Sequence, residues 1–499
     1  MILQLLGMLK ECKYCLWLLV AIASCQLLSA QEPGSDVPPP AASEPPADSI
    51  HITSNPADTV PQKQLFIIRN ITVEGNRKTR PEIVLRELPF KPGDGYTLSE
   101  LVKKFDMGRR QLMNTTLFHE AIVALKGSEG YNVDIMVQVK ERWYIFPVPY
   151  FKPIDRNLNQ WLVEQKASLK RVNYGAKLLY NNVTGRNDKI RFWLISGYTR
   201  QISASYDRLY FDKRMKWGFN TGFNIGKNRE INYNSVNDKQ VFFRQDDYVR
   251  KFLYTYAELT YRRAIRTRHR FGIGYTKEEV ADTVIKLNPS YFAAGRRRVE
   301  YPELYYIMTY YDLDYIPYPT KGYAAEINLN KKGINKSMNL WQLSVKGSGN
   351  WPTGEKSFVS LNAYGTLKLP FKQPYYNQRL LGYSDIFMQG YEYYVVDGAA
   401  GGYVKAAYTR RLFGFDVRIP GTKKLAPMRV PFNIYGKVYG NAGYIYNPYP
   451  GQNNLANKML YSSGLGIDIT TIYDFTLKLE WSFNQLGQNG LFFHRRTMF

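Results

Sequence analysis

Few residues in this chain have the types needed for covalent or metal chemistry, and their spacing argues against both. There are four histidines, His51, His119, His269 and His494, none of them close to another. A zinc site usually announces itself by paired His or Cys ligands at short spacing, and no such pair exists. Asp312 and Asp314 lie on one side of a strand-like stretch and invite reading as a carboxylate pair; a solvated strand end is the plainer account. All three cysteines, Cys12, Cys15 and Cys25, fall in the first thirty residues. If that segment is removed, no disulfide, thiolate metal site or Cys nucleophile remains. No Gly-x-Ser-x-Gly elbow, phosphate loop or dinucleotide fingerprint stands where a helix could follow it. The expectation is a non-enzyme without cofactor or metal.

With no chemistry to position, the elements themselves carry the reading. Lys10 and Lys13 precede an apolar run, Leu16 to Ala23, that is short for a spanning helix and is followed by small residues up to Ala30. This reads as a secretory signal over residues 1–30. Ile22-Ala23-Ser24-Cys25 also has the form of a lipoprotein processing site, so lipidation at Cys25 stays open. Residues 31–62 hold eight prolines and five acids (Glu32, Asp36, Glu44, Asp48, Asp58) without a Lys or Arg. Such a segment buries too little apolar surface to offset its ordering entropy and reads as a tether. The whole chain nevertheless carries a formal charge of +25, so the remainder is strongly basic. A field of that sign suggests an anionic partner. Export argues against nucleic acid, which leaves anionic lipid and lipopolysaccharide phosphates, or simply a basic surface.

Residues 63–143 read as a small α+β module. Leu65 to Val73 is a β-rich run closed at Glu74-Gly75-Asn76. Thr79-Arg80-Pro81-Glu82 predicts a helix capped by Thr79, with Ile83, Val84, Leu85 and Leu88 on its buried face. Lys91 to Gly95 breaks it, and Thr97-Leu98-Ser99-Glu100 opens a second helix bearing Leu101, Phe105, Leu112 and Met113. Strands near Phe118–Val123 and Val133–Val139 complete a β-α-α-β-β order.

Beyond Trp143 the period changes from helical to two. Phe475, Leu477, Leu479, Trp481 and Phe483 alternate with Thr476, Lys478, Glu480, Ser482 and Asn484; Trp217 to Asn224 and Ile202 to Asp207 repeat the pattern. Turn clusters such as Thr184-Gly185-Arg186-Asn187-Asp188 separate such segments. With 15% aromatic residues suited to interfacial girdles, this is the signature of a membrane β-barrel over residues 144–499. Spanning strands of about 9–11 residues, at roughly 22 residues per strand with connections, give about 16 antiparallel strands, within about 14 to 18. The terminal Phe499 suits the aromatic that outer-membrane barrels present to their assembly machinery.

Both halves resemble the BamA/TamA group of outer-membrane proteins, in which periplasmic POTRA domains precede a sixteen-stranded barrel. In the module the resemblance rests on Ile71-Thr72-Val73-Glu74-Gly75-Asn76, Val84-Leu85-Arg86-Glu87-Leu88, Gly93-Asp94-Gly95-Tyr96, Thr116-Leu117-Phe118 and Asp134 to Trp143. The length has space for one POTRA. In the barrel, Tyr318-Pro319-Thr320-Lys321-Gly322-Tyr323 is similar to a family turn. Gln378-Arg379-Leu380-Leu381-Gly382-Tyr383 followed by Gln389-Gly390-Tyr391 is similar to the family's inward-folded sixth loop. The family tip reads Val-Arg-Gly-Phe/Tyr, its Arg held by an acidic group of the wall. Here Gln389 stands in that place, so the resemblance implies a lumenal tip at Gln389, Gly390 and Tyr391 without its charge-assisted bond. Asn441 in Tyr439-Gly440-Asn441-Ala442-Gly443 likewise stands where an Asp is frequent.

A barrel whose first and last strands pair poorly keeps a usable edge. Pro147 and Pro149 in the expected first strand cannot donate to a ladder. With the last strand, expected from Leu491 to Phe499, they mark a candidate seam. The resemblance therefore implies assistance in inserting, assembling or translocating other proteins at the bacterial outer membrane. The POTRA, in the periplasm, would bind unfolded clients or a periplasmic or inner-membrane partner. A POTRA-fed secretion pore and a structural or adhesive surface barrel are the alternatives.

Overall fold

The computed structural model describes residues 64–153, 161–162, 166–212, 214–335, 337–383, 385–419, 428–471 and 474–494. The expected signal, the tether, all three cysteines and Phe499 lie outside the described residues.

The N-terminal module is a four-stranded sheet covered by two helices. Its elements are β1 (Phe66–Glu74), α1 (Pro81–Arg86), β2 (Gly95–Tyr96), α2 (Leu98–Asn114), β3 (Phe118–Glu129) and β4 (Asn132–Glu141). The sheet order is β2-β1-β4-β3, with β1 parallel to β4 and β3–β4 an antiparallel hairpin. Ile68, Ile83, Val84, Leu101, Leu112, Phe118, Ile135 and Val137 form its core. Helix α2 starts as its residues dictate: Thr97 accepts from the Glu100 amide while the Glu100 side chain returns to the Thr97 amide. Helix α1 departs from expectation. Its N-cap is Arg80 without a side-chain cap, because the Thr79 hydroxyl is taken by Tyr144 and Asn182. Leu85, expected inside, is exposed, while Ile83, Val84 and Leu88 are buried; a helix of six residues has room for only a narrow apolar stripe. The two-residue strand β2 adds an element to the expected β-α-α-β-β order.

The rest is one antiparallel sheet of sixteen strands. Its first five strands are β5 (Ile145–Pro153), β6 (Val172–Asn181), β7 (Lys189–Gly197), β8 (Thr199–Tyr210) and β9 (Trp217–Asn228). A separate hairpin, β10 (Glu230–Val236) and β11 (Lys239–Arg244), rises from the loop before β12 (Arg250–Tyr261) and β13 (Thr267–Val280). After the short helix α3 (Asp282–Leu287) come β14 (Arg298–Leu313), β15 (Gly322–Asn335), β16 (Met338–Pro352) and β17 (Ser357–Leu369). The sixth far-end loop contains α4 (Tyr375–Gln378), β18 (Arg379–Leu381) and β19 (Val396–Asp397). The sheet resumes with β20 (Ala400–Ile419), β21 (Met428–Tyr446), β22 (Met459–Thr470), β23 (Thr476–Asn484) and β24 (Asn489–His494). Among the described residues the sheet runs from β5 to β24 without a ladder joining those two.

Alternation sorts the wall into two faces. On β23, Thr476, Glu480 and Ser482 are buried inside while Trp481 and Phe483 are exposed outside. Among the described residues no helix is long and apolar enough to cross a membrane; the strands would cross. At the end away from the module, loops cover the lumen. Ser235 of the β10–β11 hairpin hydrogen-bonds Asp397 of the sixth loop. The Val395 amide donates to the Asp238 carbonyl at 2.8 Å, and the Asp238 carboxylate receives the Asn454 and Leu455 amides.

Candidate functional site

The edge of β5 is shaped by where its prolines fall. The Asn181 amide donates to the Tyr144 carbonyl at 2.8 Å, and the β5–β6 register continues from there without a bulge. Since a residue's N–H and C=O point to the same side of a strand and neighbours point oppositely, even-numbered positions of β5 bond to β6. Odd-numbered positions, 145 to 153, address the other edge. Pro147, Pro149 and Pro153 are all odd. Each lacks an N–H, so only Ile145 and Phe151 can donate outward. The Ile145 carbonyl on that edge already accepts from the Trp143 indole. On the facing side, β24 is paired to β23 from Phe483↔Asn489 to Lys478↔His494.

The tip of the sixth loop folds against the inner wall of β22–β24. Gly390 has φ +88°, and a Cβ there would lie 2.9 Å from the Ser462 Cβ, so glycine is required twice over. Its carbonyl accepts from Asn484 at 2.7 Å. Tyr391 is 1% exposed, and its hydroxyl donates to the Tyr461 carbonyl at 3.1 Å. Gln389 donates to Glu480 Oε1 at 3.3 Å. The wall thus keeps an acidic group opposite the position where the family has Arg. The cation that neutralises it comes from elsewhere: Lys437 Nζ lies 2.6 Å from both Glu480 and Asp468. His494, on β24, stands between two carboxylates, with Nδ1 2.5 Å from Glu480 and Nε2 3.6 Å from Glu392 of the loop. Phe387 of the loop stacks on the His494 ring at 4.7 Å. Loop, wall and last strand are joined in one buried network. Asn441, one strand away, donates to Ser462 at 3.0 Å.

The module is docked on the near end of the barrel by polar contacts. Glu87, buried at the end of α1, receives two bonds of 2.5 Å from Arg262 in the β12–β13 turn. Burial pushes this carboxyl up, but the charge and hydrogen bonds of Arg262, with Arg86 beside it, hold it at about 2. Arg142 pairs with Asp474 at 2.8 Å. Lys78 Nζ donates to the Tyr180 hydroxyl at 2.5 Å, and Asn114 holds the turn after β14 through the Leu313 carbonyl and Ile316 amide. Asp312 and Asp314 do not form a pair. Asp312 bonds Arg266 at 2.9 Å, and Asp314 closes the turn by accepting from Thr320.

Gln389, Gly390 and Tyr391 therefore lie together, and Pro147 and Pro149 lie on an unladdered edge. The structure adds Lys437, Glu480, Glu392 and His494 at the tip, and Pro153 on the edge. The inward position of Glu480 could have been read from the alternation of β23. Nothing in spacing announces that His494, read as isolated, meets it.

A module of this fold ahead of a sixteen-stranded antiparallel sheet with an inward-folded sixth loop defines the class of POTRA-bearing outer-membrane barrels. The POTRA family (surface antigen variable number repeat) matches residues 66–142, and the Omp85 superfamily domain matches residues 182–483. The chain belongs to the Omp85 superfamily, as a member of the BamA/TamA type with one POTRA. It is 33% identical over 85 residues to the "Putative outer membrane protein assembly factor" of Treponema pallidum (strain Nichols), which covers 17% of this chain and only 10% of that protein. BamA of Haemophilus ducreyi lacking POTRA domains 1–3 is similar with 15% identity and a TM-score of 0.48, over 86% of this chain and 83% of that one. CdiB of Escherichia coli shares the fold at 10% identity and a TM-score of 0.51, over 86% and 75% of the two chains.

Proposed function

We propose that this protein assists the insertion or assembly of other β-strand proteins at the bacterial outer membrane, with its POTRA in the periplasm. The observation that carries the reading is the outward edge of β5, where three prolines remove three of five donors. An edge that lacks most of its donors would pair weakly with β24, yet its carbonyls beyond Ile145 still offer acceptors to an incoming strand by β-augmentation. The reading invokes no catalytic group and no cofactor. A secretion pore is the less favoured reading, because the POTRA is bonded to β6 and to the β12–β13 and β22–β23 turns at the near end, and the far-end loops are bonded to one another.

The test is to restore the donors. Replacing Pro147, Pro149 and Pro153 together by Val should raise the barrel's unfolding temperature in detergent, read by heat-dependent gel migration. It should also lower the amounts of other outer-membrane proteins in cells relying on this variant. A stiffened barrel with an unchanged outer-membrane proteome would refute the seam as the working element. Lumenal ion conductance that rises when residues 386–394 are deleted would favour the pore.

A further inference from the structure

Strands β20 and β21 are far longer than their neighbours. Strand β17 pairs with β20 only as far as Ser357↔Arg410, and β22 pairs with β21 only as far as Asn433↔Thr470. The two long strands continue as a ladder of their own to Ile419↔Met428. Residues 412–419 thus run on past the end of β17, and 415–419 with 428–432 run past the ends of both neighbours for about 16 Å at ~3.3 Å per residue, on the POTRA side of the barrel.

The ribbon has two unlike faces. A bulge between Arg411 and Phe413 inserts Leu412 opposite no partner. Beyond it Phe413 pairs with Ile434 and Phe415 with Phe432, positions that share parity with the outward-facing Val438. Leu412 lies over Gly436, where an added Cβ would sit 3.3 Å from it. The outer face therefore carries Leu412, Phe413, Phe415, Val417 and Phe432. The first four are 53%, 57%, 47% and 41% exposed, and the rings of Phe415 and Phe432 stack at 5.3 Å. The opposite face holds Arg411, which reaches over Gly414 to the side of Asn433, and Asp416.

We infer that the outer face of the β20–β21 ribbon is a membrane-contact surface, covered by bilayer hydrocarbon beyond the point where the neighbouring strands have ended. Two arguments favour lipid over a protein strand. The apolar face is continuous with the outward-facing side chains Val404, Tyr408 and Val438 of the same two strands, so what covers those covers it. A strand added at a ribbon edge would satisfy backbone groups and leave the aromatic face bare. An amphipathic element with one apolar and one charged face suits the interface, its rings among the acyl chains and its ions toward water. The bulge supplies the bend that such a path requires. The inference rests on the barrel spanning a membrane and is independent of client assembly.

Spin labels test it in the full chain with Cys12, Cys15 and Cys25 replaced by Ser. Phe413→Cys, Phe415→Cys and Val417→Cys are each labelled in vesicles of phosphatidylethanolamine and phosphatidylglycerol, with Val438→Cys as the wall reference and Asp416→Cys as the opposite face. Labels at 413, 415 and 417 should collide with oxygen in preference to a water-soluble nickel chelate, as at 438, and the preference should reverse at 416. Adding Phe413→Glu and Phe415→Glu should move the 417 label into water while heat-dependent migration still reports a folded barrel. Preference for nickel at 413 and 415 would overturn the inference, as would protection from both reagents, which would mean a protein surface covers the ribbon. A nickel-accessible 438 label would overturn it together with the membrane reading.

Discussion

Strand β24 is pinned to the interior by His494, which reaches Glu480 of β23 and Glu392 of the sixth loop, whereas β5 presents to the same opening an edge stripped of donors at Pro147, Pro149 and Pro153. Both strands are short and terminal, yet their restraints differ in kind. The C-terminal side is held by buried charge whose loss is costly. The N-terminal side is held by the β6 ladder, by the Phe151–Trp161 ring contact and, at its base, by Tyr144 bonded to Thr79 and Leu117 of the POTRA. On the proposed seam reading, the β5 edge would move while the loop and wall beside β24 stay fixed.

Breaking the firm side should have the largest effect. Lys437→Gln leaves Asp468 and Glu480 sharing a buried site with less compensation, and removing one partner of such a site costs about 3–5 kcal/mol. The unfolding temperature in detergent should fall well below that of the parent, and protease should then cleave within residues 386–394. An unchanged temperature would mean the network is solvated and does not brace the loop.

The POTRA junction comes next, because it restrains the base of β5. Glu87 titrates at about 2 when paired with Arg262 against an ordinary 4.5. The docked state therefore binds fewer protons than the free one. Its advantage is complete above the ordinary value and is lost as pH falls through about 2. Glu87→Gln, which keeps a polar contact but loses a charged hydrogen bond, should cost about 2 kcal/mol of docking. Distances between labels at Glu129→Cys and Glu355→Cys should broaden for Glu87→Gln at neutral pH, and for the parent only in strong acid. Identical distributions at neutral pH would show that Arg142–Asp474 and Lys78–Tyr180 hold the junction without Glu87.

Legibility followed the range of the interactions. Period-two alternation is local, so the inward side of β23 could be read directly, as could the Thr97–Glu100 capping box, whereas the strand number followed from chain length at about 22 residues per strand. Thr79 looked like a cap because the competitors for its hydroxyl, Tyr144 and Asn182, come from the junction with the barrel. The prolines of β5 were visible, but the side they address depends on one bond from Asn181 to Tyr144. Lys437, Glu480, Glu392 and His494 lie on three strands and a loop, and only the register of β21 to β24 and the inward fold of the loop bring them together. An average strand length likewise hid the ribbon of β20 and β21.

The finest comparison is between a cation on the loop and a cation on the wall. Gln389 occupies a family position for Arg, and reading the sequence alone suggests that Gln389→Arg either meets a retained acid and stabilises, or meets none and destabilises. The structure gives a third situation. The acid is present as Glu480, but Oε1 is already 2.6 Å from Lys437 and Oε2 is 2.5 Å from His494. Lys478 stands 4.0 Å from Asp468, and Lys405 lies over the Phe387 ring at 4.3 Å, so further positive charge is close by. A guanidinium at 389 would enter a site whose carboxylates are occupied. Gln389→Arg alone should lower the unfolding temperature, because a guanidinium without a free carboxylate partner would be taken out of water. In a Lys437→Gln background the same substitution should raise it, because the loop then supplies the charge the wall has lost. The two changes should be strongly non-additive, as groups sharing a partner are. Equal effects of Gln389→Arg in both backgrounds would show that the loop and wall positions do not compete for Glu480, and the exchange of one cation for the other would have to be abandoned.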